Sequence, residues 1–363
     1  MTASSTFQRI RKRVYRQMKA NVPYSEPSLW PKSQGFPFAA FSASRYKGGN
    51  PPYPGFNREF EAGMTTLTDI LKALPGATLH GTAAQEILEL KRLDEADSKA
   101  TSLIWCSDKN IGGFGALKAG TVICSTLAHS QSSNQRLNYI VVENPRLAFQ
   151  TIAATFFQEA EPEPQIAASA HIHPSVKIGK AVSIGHNVVI DKDCVIGDHS
   201  SVGPNTVLHR RTIVADHVKV GANTTIGGVG FGYERDEAGK PLLIPHLGNV
   251  AIGAYAEIGN NTAIDRAVLG STVIEEHVKI DNLVHVGHGA KIKRGAFLIA
   301  NSMIGGSTVV GAGTWVAPSA ALINGITIGE KATIGMGAVV IRAVPDHATV
   351  VGNPGKEIQK TKA

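Results

Sequence analysis

The sequence predicts a mainly β protein in which a small α/β domain precedes a long parallel β-helix of hexapeptide repeats. An aliphatic residue returns at every sixth position from Ile172 to Ile226, from Ile252 to Ile264, and from Ile274 to Val340. A period of six fits neither an amphipathic helix nor a long alternating strand. It suits a triangular coil in which each hexapeptide supplies one short strand and one turn, so that three hexapeptides make one coil.

Two further positions of each hexapeptide are restricted. Two residues before most aliphatic residues stands a small or β-branched residue, as at Cys194 and Thr206, which we expect at a crowded corner. The residue after the aliphatic one is often Gly, as at Gly185 and Gly203, and we expect positive φ there because Gly adopts it without steric cost. Since the aliphatic positions are expected to form the core, functional residues should lie where the pattern breaks.

Length and composition agree with a multidomain protein, because 363 residues exceed one average domain. The chain has neither an apolar run long enough to span a bilayer nor a secretory segment, which predicts a cytoplasmic protein. Its three cysteines, Cys106, Cys124 and Cys194, are not spaced as metal ligands. We expect them to be reduced, structural thiols.

The positive charge of the chain lies in its first residues. Residues 1–58 contain ten Lys and Arg and one acidic residue, which gives them a charge of +9, whereas the whole chain has +7. Phe7, Ile10, Val14 and Met18 lie at helical spacing among basic residues, as in a basic amphipathic helix. This start could be a transit peptide, a membrane-surface or nucleic-acid contact, or a disordered tail. We favour a disordered tail, with peripheral membrane contact next and no nucleic-acid partner.

The sequence divides into five segments. We expect a basic, disordered extension at 1–63, an α/β domain at 64–158, a linker at 159–165, the β-helix at 166–345 and a C-terminal tail at 346–363. Within the α/β domain, helices are predicted over 66–74, capped by Thr66, and over 146–157. Strands are predicted at 87–90, 102–106, 121–124 and 139–142.

The first break in the repeat is the insertion between Ile226 and Val250, which contains Phe231, Tyr233 and several glycines. A loop of this length inside a solenoid is either functional or packs against a neighbouring subunit. A nucleotide-binding P-loop is excluded because no helix pattern and no Lys-Ser/Thr pair follow the glycines.

The second break is a polar run inside one coil. Asp281, Asn282, His285 and His288 fall within eight residues. A lone His is more often a solvated or hydrogen-bonded side chain than a catalyst. Two His residues with a nearby carboxylate favour a catalytic site, because a carboxylate orients an imidazole and selects its tautomer.

These breaks belong to an ordered set of motifs that resembles one enzyme family. The set comprises Val141-Val142-Glu143-Asn144-Pro145, Gly230-Phe231-Gly232-Tyr233, Ile244-Pro245, Ile264-Asp265-Arg266, Ile280-Asp281-Asn282 and Val286-Gly287-His288. Over residues 64 to 358 the chain resembles the UDP-3-O-(3-hydroxyacyl)glucosamine N-acyltransferases of lipid A biosynthesis.

The resemblance implies a left-handed parallel β-helix, a homotrimer with active sites between coils of neighbouring subunits, and an N-terminal domain that helps to bind the uridine nucleotide. It also implies transfer of a 3-hydroxyacyl chain from acyl carrier protein to the 2-amino group of the UDP-sugar, without a metal or other cofactor beyond the carrier's phosphopantetheine thioester.

The same resemblance implies roles for individual residues. His288 matches the catalytic base, Asp281 matches an acidic position that supports the histidine or the sugar, and Asn282 shapes the site. The backbone N–H of Gly306 is the candidate oxyanion donor. Contacts with substrate are assigned to Asp281, Asn282, His285, Gly306, Phe231 and Tyr233.

The chain departs from the family at several positions. Gly289 stands where the family has Asn, and Ile326 stands where a second active-site His is common. The aromatic pair that holds the uracil is not evident, since Ile104 and Asn110 fall near those places, with Trp105 adjacent.

Two alternatives remain at this stage. A zinc carbonic anhydrase on the same coil would need a second His five residues after His288, where Lys293 stands. The other alternative is a different hexapeptide acyltransferase, acting on another amino sugar or acyl donor, or a non-catalytic β-helix scaffold.

Overall fold

The computed structural model describes residues 65–94, 98–130, 134–159 and 162–358, so the predicted extension 1–63 lies outside the described residues. The described residues up to Pro162 belong to one compact unit, and those from Glu163 onward belong to a second. We call them the α/β unit and the coil.

The α/β unit contains seven strands and three α-helices. The strands are β1 (Thr65–Thr66), β2 (Thr78–His80), β3 (Glu86–Ile87), β4 (Glu89–Lys91), β5 (Ser102–Trp105), β6 (Thr121–Cys124) and β7 (Asn138–Val141). The helices are α1 (Leu67–Lys72), α2 (Thr126–Ser130) and α3 (Pro145–Ile152), with a 3₁₀ segment at Asp108–Ala116 and a π-helical turn at Ala153–Phe157. Five strands form one sheet in the order β2-β7-β6-β5-β4, in which only β2 pairs antiparallel.

Side-chain caps start two of these helices. Thr66 accepts a hydrogen bond from the N–H of Asp69, whose carboxylate accepts in return from Thr66, and this capping box confirms the predicted start of α1. Asn144 caps α3 by accepting from the N–H of Leu147. β2 has no counterpart among the predicted strands, and β3 and β4 were predicted as one strand because both are too short to show a period.

The coil contains the remaining 29 strands, most of them two residues long. In chain order they are β8 (His171–Ile172), β9 (Lys177–Ile178), β10 (Ser183–Ile184), β11 (Val189–Ile190), β12 (Val195–Ile196), β13 (Ser201–Val202), β14 (Val207–Leu208), β15 (Ile213–Val214), β16 (Lys219–Val220), β17 (Thr225–Val229), β18 (Tyr233–Arg235), β19 (Pro241–Leu243), β20 (Asn249–Ile252), β21 (Glu257–Ile258), β22 (Ala263–Arg266), β23 (Ser271–Ile274), β24 (Lys279–Ile280), β25 (His285–Val286), β26 (Lys291–Ile292), β27 (Phe297–Leu298), β28 (Met303–Ile304), β29 (Val309–Val310), β30 (Trp315–Val316), β31 (Ala321–Leu322), β32 (Thr327–Ile328), β33 (Thr333–Ile334), β34 (Val339–Val340), β35 (Thr349–Val351) and β36 (Lys356–Ile358).

These strands stack into three sheets of ten, nine and eight strands, which are the faces of a left-handed parallel β-helix. In the regular part a strand pairs with the strand one coil later, as Ser183 pairs with Ser201 and Val189 with Val207. The fold class predicted from the hexapeptide period is therefore confirmed.

The inside of the coil is a single column of aliphatic side chains. Ile190, Leu208, Ile226 and Ile264 are fully buried one above the other in the nine-stranded sheet. Polar members of the small-residue position are buried too, and their hydroxyls, apart from that of Ser302, are paired. Thr206, for example, donates to the carbonyl of Gly221 in the next coil at 2.8 Å, which removes the cost of burying an unpaired hydroxyl.

The prediction of positive φ at the glycines that follow the aliphatic residue holds at Gly227 (82°) and is wrong at the others, such as Gly185 and Gly203. Positive φ occurs two residues later, at corner residues such as Asn187 (56°) and Asn205 (58°). The glycines are needed for a different reason, because a Cβ at Gly185 would lie 2.7 Å from the backbone nitrogen of Pro204 in the next coil. A side chain at this position would therefore push neighbouring coils apart.

The coil is irregular in two places. β17 pairs with β22 through a register shift between Ile226 and Gly228, and the insertion that follows β17 contains the antiparallel hairpin of β18 and β19. At the other end, β35 adds to the ten-stranded sheet and β36 folds back on it. The repeat structure thus continues past residue 345, where we placed the start of a tail, because Thr349–Val351 still pairs with β33. No helix among the described residues is long and apolar enough to cross a membrane.

Burial makes all three cysteine thiols poor nucleophiles. It raises the pKa of Cys106 and of Cys194 to about 11 and that of Cys124 to about 12. Because the thiolate is the reactive form, we expect iodoacetamide at pH 8 to modify less than one thiol per folded chain and three per chain in guanidinium. Mass spectrometry measures both values, and rapid stoichiometric labelling of the folded protein would contradict this burial.

Candidate functional site

His288 lies at the corner that follows β25, with its ring between two glycines. A Cβ at Gly306 would lie 2.9 Å from Nε2 of His288, and a Cβ at Gly230 would lie 3.0 Å from the Cβ of His288. The carbonyl of His288 accepts a hydrogen bond from the N–H of Ser307 in the next coil. The half-buried imidazole thus occupies space that a side chain at either glycine would fill.

A second imidazole, His246, comes from the insertion and packs against the first. Its side chain is only 3% exposed, and its ring stands edge-on to that of His288 with centroids 5.1 Å apart. Nδ1 of His246 donates to the carbonyl of Ile244 at 2.8 Å, which selects the tautomer with a bare Nε2. That Nε2 is buried and has no hydrogen-bond partner among the described residues.

Asp265 in β22 supplies the negative charge of this site. Its Oδ2 lies 3.8 Å from Nε2 of His285, which projects from the neighbouring strand β25. Burial raises the pKa of the Asp265 carboxyl, while the nearby imidazoles of His285, His288 and His246 lower it in part. Three imidazoles thus surround one largely buried carboxyl group.

The environment of His288 favours the neutral ring. Burial lowers the pKa of His288 from 6.5, the neighbouring His246 lowers it further, and the carboxylate of Asp265 raises it in part. A ring that is neutral near pH 7 has a lone pair with which to accept a proton.

Asp281 and Asn282 have hydrogen-bonding roles within the coil. The two carboxylate oxygens of Asp281 accept from the backbone N–H groups of Asn282 at 2.7 Å and of Ala300 at 3.2 Å. The side-chain oxygen of Asn282 accepts from the N–H of Asn260 at 2.7 Å. The carboxylate whose charge acts on His288 is therefore that of Asp265, and the expected support of His288 by Asp281 stays a prediction.

The backbone N–H of Gly306 is open beside His288. At several other corners the N–H two residues after the inward aliphatic residue is capped by a side chain, as Lys180 is by Asp198 and Asp198 is by Asp216, whereas at corners such as Lys192 and Ala312 no such cap is present among the described residues. No hydrogen bond joins the N–H of Gly306 to another described residue. It remains available to an oxygen atom brought by a substrate.

Phe231 and Tyr233 lie in the insertion as an exposed aromatic pair. Phe231 is 86% exposed, and its ring centroid lies 5.0 Å from that of Tyr233 in β18. The same insertion leaves Leu243 in β19 and Leu247 beyond it exposed. Four exposed apolar or aromatic side chains in one insertion are typical of a binding region.

The structure shows the surroundings of three positions at which the chain departs from the family pattern, Gly289, Ile326 and Ile104. Gly289 has a φ of +71°, and its N–H donates to Oγ1 of Thr272. Ile326 packs against the aliphatic core, so its side chain is a structural one. Ile104 is fully buried and cannot contact a nucleobase.

The α/β unit has a cavity of its own. A volume of about 710 Å³ is lined by Trp105, Phe149, Asn110 and the basic residues Lys91 and Lys109, among others. The rings of Trp105 and Phe149 are tilted by 36° with centroids 6.0 Å apart. Aromatic walls with basic groups suit a planar anionic ligand.

His285 and His288 stand close together in the sequence and both act on Asp265, while His246 and Asp265 were not among the predicted site residues. Asp265 lies in the motif Ile264-Asp265-Arg266 and His246 directly follows Ile244-Pro245, yet what brings them near His288 is the stacking of coils and the insertion. Among the described residues, no three His, Cys, Asp or Glu side chains form a group that could hold a metal ion.

Comparisons with known proteins identify first the class and then the family. Residues 193–228 match the family model described as bacterial transferase hexapeptide (six repeats). A UDP-3-O-acylglucosamine N-acyltransferase of Campylobacter lari is 39% identical over 260 residues, which cover 69% of this chain and 81% of the relative. One of Campylobacter concisus is 36% identical over 74% of this chain and 86% of its own. The chain belongs to the UDP-3-O-acylglucosamine N-acyltransferase family.

Among solved structures, a UDP-N-acetylglucosamine acyltransferase from Campylobacter jejuni matches 53% of this chain and 74% of its own, with 20% identity and a TM-score of 0.49.

The charges around His288 predict opposite effects for two substitutions. Asp265→Asn removes a charge that stabilises the imidazolium, so the pKa of His288 should fall further below 6.5. His246→Gln removes a neighbouring imidazole that lowers the pKa of His288, so that pKa should rise. NMR titration of the His288 ring measures both shifts. Glu357→Gln, an exposed change in β36, should leave that pKa unaltered, and equal shifts in all three variants would contradict the local origin.

Proposed function

We propose that this protein transfers a 3-hydroxyacyl chain from acyl carrier protein to the 2-amino group of a UDP-3-O-acylglucosamine, a step of lipid A biosynthesis. The observation that carries the proposal is the half-buried imidazole of His288 packed against Gly306, whose N–H has no hydrogen-bond partner among the described residues. One group accepts a proton and the other donates a hydrogen bond, and N-acylation by a thioester requires both.

The chemistry follows from these two groups. The amine attacks the thioester carbonyl, a C–N bond forms, and His288 takes the proton that the nitrogen loses. The N–H of Gly306 stabilises the oxyanion of the tetrahedral intermediate. When the intermediate collapses, the C–S bond breaks and the imidazolium returns the proton to the departing thiolate of the carrier's phosphopantetheine.

Asp265 and His246 act on this step through the ring. The carboxylate of Asp265 stabilises the imidazolium that forms, whereas His246 and burial keep the resting ring neutral. His288 is then a base with an available lone pair at neutral pH, and the carboxylate of Asp265 stabilises the imidazolium that it becomes.

Other parts of the chain would contact the substrates. We assign uridine contact to the cavity of the α/β unit, where Trp105 and Phe149 offer aromatic surfaces. Exposed Phe231 and Tyr233 offer contact area for the acyl chains. His285 and Asn282 stay substrate-contact candidates, and we place the reaction in the cytoplasm, where carrier-bound acyl chains are made.

The direct test is a transfer assay with purified 3-hydroxyacyl carrier protein and UDP-3-O-acylglucosamine. His288→Ala should lower kcat by about 10²- to 10⁴-fold with little change in KM, the usual contribution of a positioned general base. Its matched control is His217→Ala, an exposed histidine at a corner of another coil, which should keep full activity. In the wild type, kcat/KM should rise with pH through the lowered pKa of His288.

Two results would contradict this function. An active His288→Ala enzyme with an unchanged pH profile would exclude histidine base catalysis. Faster transfer from a coenzyme A thioester than from the carrier protein, or to a different amino sugar, would favour another hexapeptide acyltransferase.

We also propose that the protein is a homotrimer. The insertion leaves Phe231, Leu243 and Leu247 exposed on one chain, and Leu269 between β22 and β23 is exposed as well. A second copy would cover such an apolar surface. Sedimentation equilibrium at micromolar concentration should give three times the chain mass of 38.3 kDa, and a monomer at that concentration would contradict the proposal.

A further inference from the structure

Thr272 in β23 is a fully buried residue whose hydroxyl has two hydrogen-bond partners in the candidate site. Its Oγ1 donates to the carbonyl oxygen of Asp265 at 2.6 Å and accepts from the N–H of Gly289 at 2.8 Å. Asp265 supplies the carboxylate of the site, and Gly289 directly follows His288. One hydroxyl group therefore joins the backbone of the carboxylate residue to the backbone next to the imidazole.

The hydroxyl of Thr272 donates in an unusual direction for its position in the repeat. The usual acceptor at this position is a carbonyl of the next coil, as for the hydroxyls of Ser200, Thr206, Thr224, Thr262, Thr308 and Thr314. Thr212 and Thr272 donate backwards along the chain instead, and Thr272 reaches Asp265, seven residues earlier. The bond therefore serves the corner that contains Asp265 and not the stacking of the next coil.

The bond that Thr272 accepts is displaced as well. A regular hydroxyl accepts from the N–H of the same repeat position one coil later, as Thr206 does from Thr224. The pairing of β23 with β26 makes Ala290 the equivalent of Thr272, yet the N–H that donates belongs to Gly289, one residue earlier. The displacement brings the bond to the peptide group on the carboxyl side of the proposed base.

The peptide group between His288 and Gly289 is hydrogen-bonded on both of its sides. Its N–H donates to Thr272, and its carbonyl accepts from the N–H of Ser307 in the next coil at 2.8 Å. Because a peptide group is planar, two bonds in fixed directions set its orientation. They thereby restrict the direction in which the side chain of His288 leaves the backbone.

The other end of the bond restrains a strand that is locally irregular. Asp265 lies opposite Gly228, just after the register shift in the pairing of β17 with β22. Such a shift disrupts the regular ladder of backbone bonds. A side-chain bond to the carbonyl of Asp265 adds a restraint at this point, and the carboxylate of the same residue lies 3.8 Å from Nε2 of His285.

We propose that Thr272 is a positioning residue that keeps the imidazole of His288 and the carboxylate of Asp265 in a fixed relation. The inference rests on the proposed function and adds to it a residue that acts through its neighbours, because a fully buried side chain does not contact the substrate. A general base is effective only in the correct geometry. Without the hydroxyl, the two backbone segments that carry these groups can shift independently.

Thr272→Val tests this role because it removes the hydroxyl and keeps the shape of the side chain. The coil accepts valine at this position of the repeat, where Val188, Val218 and Val278 are fully buried. In the transfer assay, Thr272→Val should lower kcat about 10- to 100-fold with little change in KM, the usual cost of a misplaced catalytic group. Thr272→Ser keeps the hydroxyl and should retain most of the activity.

The matched control is Thr206→Val, which removes an equally buried hydroxyl with two backbone partners in another coil. It should keep the kcat of the wild type, and an equal loss of kcat in both valine variants would overturn the proposal. If Thr272→Val does not fold, as judged by circular dichroism, Thr272→Ala takes its place, because alanine is buried at the same position at Ala290 and Ala296. Wild-type kcat in Thr272→Ala would then overturn the proposal.

NMR titration of the His288 ring tests the positioning without any substrate. Asp265→Asn should lower the pKa of His288, since the carboxylate raises it in part. In the Thr272→Val background the same substitution should change that pKa less, because the two groups no longer keep their relation. In the Thr206→Val background the change should be as large as in the wild type. An undiminished change in the Thr272→Val background would overturn the proposal.

These measurements separate the inference from the proposed function. If the wild type transfers no acyl chain but the titration shows the reduced change in Thr272→Val, the function fails and the positioning role of Thr272 stands. If the wild type transfers acyl chains while Thr272→Val keeps both the kcat and the full change in the pKa of His288, the positioning role fails alone.

Discussion

Backbone hydrogen bonds between successive coils are the interaction on which the whole β-helix depends. They run from strand to strand and also through the corners, as from the N–H of Gly185 to the carbonyl of Val202 and from Gly203 to Val220. The glycines at these positions allow this close approach, and a larger residue would cost about 1–3 kcal/mol through overpacking or break the contact. The buried aliphatic side chains fill the interior of the coils that these hydrogen bonds hold together.

The candidate site arises where that regular stacking is interrupted. The register shift in β17 and the insertion after it bring His246 onto His288, and Gly230 fits between the two. Burial then acts on both partners of the charge pair, since it lowers the pKa of His288 and raises that of Asp265. Both shifts favour the uncharged forms, as is common where a fold prepares a group for proton transfer.

Much of the fold could be predicted because a hexapeptide period is local. Each aliphatic position could be assigned to the core from its spacing alone, and Ile190, Val286 and Ile304 are indeed fully buried. The role of Gly185 was mistaken, because its constraint comes from a residue in the next coil and not from its own backbone angles. A short-range pattern contains no information about such an approach.

The site could be predicted only in part for the same reason. His288 and His285 stand close together in sequence, so their clustering was visible. His246 and Asp265 contact them across coils, and only the motifs around them indicated that they matter. Nε and Nη1 of Arg266 are buried without a hydrogen-bond partner among the described residues, and this has no sequence signal because it is known only once the surrounding side chains are placed.

The attachment of the insertion to the coil has an evolutionary consequence. The hairpin of β18 and β19 leaves the coil after Val229 and returns at Asn249, and both attachment points are held by parallel strands, β17 with β22 and β20 with β23. Residues between these points can be added, lost or exchanged without changing the register of a single coil. The exposed surface that carries Phe231 and Tyr233 can therefore diversify while the scaffold stays constant, so selection can retune what the protein accepts without endangering its ability to fold.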